Sequence, residues 1–139
     1  MRSLLRRLAV MAGALVLAGF GMVIVGVAPA GALPAGCTAT YLCIYPDPGY
    51  SGGFGHFSGD NTNWNNFSTS TNNCGNGTWN DCISSAFNDG TSCTVWLWTD
   101  ANYQGSTHSI ARGTGYSRLA DVGLNDNVSS NHWCTSRPV

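Results

Sequence analysis

Two short patterns each occur twice in this chain, and in the same order. "YPDPGYSG" (Tyr45 to Gly52) matches "WTDANYQG" (Trp98 to Gly105): an aromatic, then Asp two on, Tyr five on and Gly seven on. Farther along, "NDCISS" (Asn80 to Ser85) matches "NDNVSS" (Asn125 to Ser130). A large hydrophobe (Trp79, Leu124) precedes each copy, and a β-branched residue (Ile83, Val128) stands before each serine pair. The first patterns lie 53 residues apart and the second 45. The chain is therefore a duplication, with an eight-residue insertion in its first half. That insertion falls in "NTNWNNFSTSTNNCGNGT", residues 61–78, which is polar, Asn-rich and expected to be loop.

No stretch after residue 32 holds a 3.6-residue apolar period. Short runs rich in aromatic and β-branched residues ("TYLCIY", "GGFGHF", "CTVWLW", "THSIA", "NHWC") alternate with Gly, Asn, Asp, Ser and Pro clusters. This pattern predicts an all-β sandwich or barrel. A duplicated unit of that length predicts two Greek keys packed together, because neither half would bury an adequate core alone. The first key is expected over about residues 37–90 and the second over about 91–135. Asn88-Asp89-Gly90 reads as the turn between them.

Residues 1–32 carry Arg2, Arg6 and Arg7, then a long apolar run, then Ala28-Pro29-Ala30-Gly31-Ala32. That is the layout of a secretory signal peptide; the other reading is an uncleaved anchor. Cleavage after Ala32 would leave one domain, residues 33–139, secreted and free of the membrane. It holds three arginines against seven aspartates and neither lysine nor glutamate. A mildly acidic domain without basic clusters is a poor partner for nucleic acid or anionic lipid. A monomer is expected.

All six cysteines (Cys37, Cys43, Cys74, Cys82, Cys93, Cys134) lie in this domain. An even count in a small exported domain points to disulfides, and six cysteines allow fifteen pairings. The expected set is Cys37–Cys43 and Cys74–Cys82, closing short loops, and Cys93–Cys134, tying the start of the second half to the chain end. Zinc is disfavoured, since there is no CxxC and the histidines lie far from the cysteines.

The paired patterns resemble a single βγ-crystallin domain. That family carries an aromatic corner ending in glycine in each key. Its calcium-binding members carry an (Asn/Asp)-(Asn/Asp)-x-x-(Ser/Thr)-Ser signature later in the key. The opening "CTATYLCIY" also resembles secreted actinobacterial proteins of peptidase inhibitor family I36, which includes a metallopeptidase inhibitor on this fold. The resemblance implies a disulfide-stapled βγ-crystallin-like sandwich that inhibits an extracellular protease. It also implies two calcium sites, each shared between one key's signature and the other key's hairpin. Carried over, Asp81 and Ser84 would join backbone or side-chain oxygens near Asp100, and Asp126 and Ser129 would join oxygens near Asp47. With few carboxylates per ion, affinity would be modest, about 10⁻⁴ to 10⁻³ M. The other reading of these segments is side-chain to backbone turns, with Ser85 and Ser130 holding the folded hairpins.

The expected inhibitory loop is Cys93-Thr94-Val95, although Cys93 lacks the close downstream partner that the family's inhibitor has. No HExxH, GxSxG or P-loop occurs, and no enzyme is expected. His56 and His108 are read as half-exposed strand residues. Most tryptophans are expected in the core. Trp64, inside the polar insertion, is the candidate exposed aromatic, for a sugar or a protein contact; the other reading is that it staples the insertion down. The alternatives to inhibition are a calcium-stabilised extracellular stress protein and a cell-wall, glycan-binding or killer-toxin-like module.

Overall fold

The computed structural model describes residues 33–71 and 73–136, so the expected signal peptide lies outside the described residues. Among the described residues seven strands run as β1 (Leu42–Tyr45), β2 (Gly55–Phe57), β3 (Ser85–Asn88), β4 (Val95–Asp100), β5 (Gln104–Ile110), β6 (Thr114–Tyr116) and β7 (Ser130–Trp133). They form two antiparallel sheets, β2-β1-β3-β6 and β5-β4-β7. Strand β6 comes from the second half yet completes the first half's sheet. In the opposite direction the first half contributes one bridging residue, Asn61, beside Asn131 of β7. The halves are thus interlocked. Among the described residues no helix is long and apolar enough to cross a membrane.

Period-2 burial explains why these segments become strands. In β4, Val95 and Leu97 are fully buried while Trp96 and Trp98 are half-buried on the outer face. In β1, Leu42 and Ile44 enter the inter-sheet core, and Cys43 and Tyr45 join a smaller outer cluster with Cys37. The hydrophobes flanking each signature are core anchors: Trp79, Ile83, Leu124 and Val128 all lie in the main cluster. The chain forms Cys37–Cys43, Cys74–Cys82 and Cys93–Cys134.

The insertion is largely exposed loop, as expected, with its tryptophan as the main exception. Trp64 is not exposed; its relative exposure is 0%. Asn63 caps a short 3₁₀ turn over Trp64–Asn66. The indole packs 4.7 Å from the Phe57 ring, and its Nε1 donates to Asn131 Oδ1 at 2.9 Å. Cys74 follows it into the core. Trp64 thereby staples an otherwise exposed loop to the core, because burying an indole outweighs the polarity of its neighbours. Conversely, Trp96, Trp98 and Trp133 are half-buried, so the core holds fewer tryptophans than the composition suggests.

Candidate functional site

Each repeated pattern has a mechanical role. In the hairpin after β1, Tyr50 and Gly52 have φ of 60° and 82°; after β4, Tyr103 and Gly105 have 60° and 77°. A Cβ at Gly52 or Gly105 would run into the carboxylate of Asp47 or Asp100. Only glycine fits there, which fixes the last residue of the pattern. The second serine of each signature then holds its own key's hairpin. Ser85 Oγ donates to the Asp47 carbonyl at 2.7 Å and accepts Tyr50 N–H at 2.9 Å. Ser130 Oγ donates to the Asp100 carbonyl at 2.7 Å and accepts Tyr103 N–H at 3.2 Å.

The rest of each signature faces the other signature. Asp81 N–H donates to the Val128 carbonyl at 3.0 Å, and Asp126 N–H to the Ile83 carbonyl at 2.9 Å. Asp81 and Asp126 sit at φ of 52° and 50°. Ser129 Oγ donates to Asp81 Oδ1 at 3.2 Å, and Ser84 Oγ to Asp126 Oδ1 at 3.3 Å. The second oxygens accept from Asn80 and Asn125, both at 2.6 Å. The result is two crossed carboxylate–hydroxyl pairs related by a local two-fold. The hydrogen-bonded pairs differ from the grouping expected for the ions: Asp81 meets Ser129 and Asp126 meets Ser84. The Asp47 carboxylate instead accepts Asn73 Nδ2 at 2.8 Å and packs on its own hairpin, as Asp100 does on its own. The cause is the swap of elements between keys, which no local spacing records.

The expected inhibitory loop, Cys93-Thr94-Val95, runs from the half-buried end of a turn into β4. Val95 is fully buried and paired on both sides, with Ile110 and Trp133. The Thr94 carbonyl accepts Cys134 N–H at 2.9 Å. Val95 is therefore held in the sheet with both backbone edges paired. The exposed residues are the two preceding Cys93, namely Thr91 and Ser92.

That turn is braced from below by Asn88, whose side chain is fully buried. Its Nδ2 donates to the carbonyls of Cys93 (3.0 Å) and Ile110 (2.8 Å), and its Oδ1 accepts Gly90 N–H at 2.9 Å. Arg112 Nη1 donates to the Thr91 carbonyl at 2.9 Å. The Cys93–Cys134 disulfide pins the exit. Shallow depressions flank the turn, about 270 Å³ on the side of Thr40, Ser58 and Trp133, and about 400 Å³ on the side of Ala39 and Arg112. From the sequence, Asn88 reads only as part of a connecting turn, and its bracing role is not visible there. The signal available is "FNDGTSC", a turn-forming run ending at a cysteine.

The sequence profile of peptidase inhibitor family I36 matches residues 30–110, more than half the chain and all of the braced turn. The chain belongs to peptidase inhibitor family I36. This is a family of inhibitors, not of enzymes, and it implies a protease partner. Among curated proteins, none matches the sequence significantly. Among solved structures the fold is that of βγ-crystallins. A domain described in work on the evolution of the eye-lens βγ-crystallin fold aligns with TM-score 0.60 at 16% identity, over 75% of this chain and 94% of its own. A βγ-crystallin from Ciona intestinalis gives 0.53 at 18%, over 67% and 98%. One from an archaeon gives 0.51 at 20%, over 69% and 99%.

Proposed function

We propose that this I36 member is an exported inhibitor of a metallopeptidase, and that it engages the enzyme through the turn Asp89–Cys93. The observation that carries this reading is the bracing of the turn by buried Asn88, which contacts it at both ends. A segment already fixed in its binding shape loses little conformational entropy on docking. Secretion fits the three disulfides and the signal-like residues 1–32. The test is titration of the oxidised domain, residues 33–139, into zinc endopeptidases, with a serine protease as control. Activity falls in proportion to added protein until the two are equimolar, and Thr91→Arg or Ser92→Arg abolishes the effect. If no zinc enzyme loses activity with the protein at about 10 μM, roughly ten times a micromolar Kd, the reading fails.

Calcium binding is a second, compatible reading, favoured by the crossed pairs. Each brings an exposed carboxylate and a serine hydroxyl together, oxygen donors of the kind a hard cation takes. The Oδ1 atom of Asn80, beside Asp81, is buried without a protein partner. Among the described residues no cluster of three His, Cys, Asp or Glu occurs, so most of a six- to eight-oxygen shell would be backbone carbonyl and water. Asp81 and Ser129 would hold one ion, Asp126 and Ser84 the other. Calcium at about ten times a millimolar Kd would raise stability by about 1.4 kcal/mol per site. A melting temperature identical in calcium and in chelator removes this reading and leaves the inhibitor reading intact.

A further inference from the structure

We infer that an aromatic ridge, Tyr41–His56–Phe54, is a second contact surface for the same peptidase, lying outside the turn; this rests on the inhibitor reading above. Phe54 is 49% exposed, unusually so for a phenylalanine. It is nevertheless held in place. Its ring stands edge-on to His56, with centroids 5.0 Å apart, and His56 stands 5.1 Å from Tyr41. His56 Nε2 shares a 2.8 Å hydrogen bond with the Gly36 carbonyl. A Cβ at Gly36 would lie 2.5 Å from two Phe54 ring carbons. A glycine is thus spent on seating an exposed phenyl ring, and the Cys37–Cys43 bridge fixes the segment beneath. A held aromatic of large area is the usual anchor of a protein interface, because little is lost in ordering it.

Charge and position select the occupant. From Leu33 to Ser58 the only charged side chain besides the histidine is Asp47, which is engaged by Asn73. Interface centres are depleted of charge in this way. The ridge is continuous with the turn: Asp89 N–H donates to the Tyr41 carbonyl at 3.0 Å, and Thr40 N–H to the Asp89 carbonyl at 2.9 Å. An enzyme seated on the turn is therefore carried onto Tyr41 and, one ring at a time, toward Phe54. An apolar surface beside the enzyme's cleft is the matching chemistry.

The test compares inhibition constants of wild type, Phe54→Ala, Gly36→Ala and Thr91→Arg against the zinc endopeptidase that the wild type inhibits best, with melting temperature and sedimentation as controls. Phe54→Ala weakens inhibition by about tenfold or more without changing the melting temperature. Gly36→Ala, which displaces the ring, weakens it in the same direction. If Phe54→Ala inhibits as tightly as wild type while Thr91→Arg does not inhibit, the ridge proposal is overturned and the inhibitor reading stands. If the wild type neither inhibits nor binds any zinc enzyme, both fall. If instead the wild type self-associates and Phe54→Ala abolishes that, the occupant is a second copy and the proposal is overturned.

Discussion

Replacing Asn88 isolates the bracing of the turn. Its side chain is fully buried and satisfies three backbone groups: Gly90 N–H, the Cys93 carbonyl and the Ile110 carbonyl. Asn88→Ala strands two of these in buried surroundings, at about 1–3 kcal/mol each. The Cys93 carbonyl is only part-buried, so water recovers most of its loss. The expected cost is about 3–5 kcal/mol, a large part of the stability of so small a domain. In thermal melting of the oxidised domain this is a fall of about 15–30 °C. Asn88→Asp is the sharper variant, because it keeps the shape. The carboxylate it introduces still accepts Gly90 N–H but turns oxygen toward two carbonyls. Only the protonated acid can donate to either of them, so folding raises the carboxyl pKa above its unfolded value near 3.9. A group of this kind stabilises fully below its unfolded pKa, and that stability is lost as pH rises through the folded one. The Asn88→Asp variant therefore melts higher at pH 3 than at pH 7, relative to wild type at each pH. Melting of Asn88→Ala within about 3 °C of wild type would refute the bracing argument, since that shift is under 1 kcal/mol. So would an Asn88→Asp variant with no extra pH dependence.

Three other contacts give expected outcomes of their own. Burial, and then the neighbouring Tyr50, push the Tyr45 phenol up to about 12 from 10.0. Its contribution is present below pH 10 and lost as pH rises toward 12; Tyr50 and Tyr103 are also raised by burial, so ultraviolet titration shows several late steps and a Tyr45→Phe variant loses the one near 12. Ser130→Ala leaves the Asp100 carbonyl and Tyr103 N–H unpaired; it costs about 1–3 kcal/mol by denaturant melting and speeds hydrogen exchange at Tyr103, whereas a change below about 0.5 kcal/mol would mean the hairpin holds itself. Trp64→Phe keeps the ring but removes its bond to Asn131, at about 1–2 kcal/mol, while Trp64→Ala costs about 3–5 kcal/mol; a near-neutral alanine variant would place the insertion outside the core.

The sequence by itself determined the duplication, the all-β class and the placement of the turns, because those depend on local chemistry. Gly52 and Gly105 are required wherever the chain turns at positive φ against its own aspartate. Ile83 and Val128 are apolar because that position of each signature faces the core. The tertiary structure alone decided which oxygens meet. Asp81 and Ser129 lie 48 residues apart, and they come together only because one key's element crosses to the other. Trp64 reads as exposed for the same reason: its polar neighbours are local, while its partners Phe57 and Asn131 come from the two different sheets. Val95 reads as available beside a cysteine, and strand pairing on both sides removes it. Asn88 reads as an ordinary turn residue. Its three partners are set by where the chain returns, at Cys93 and Ile110, and no pattern around position 88 encodes that return.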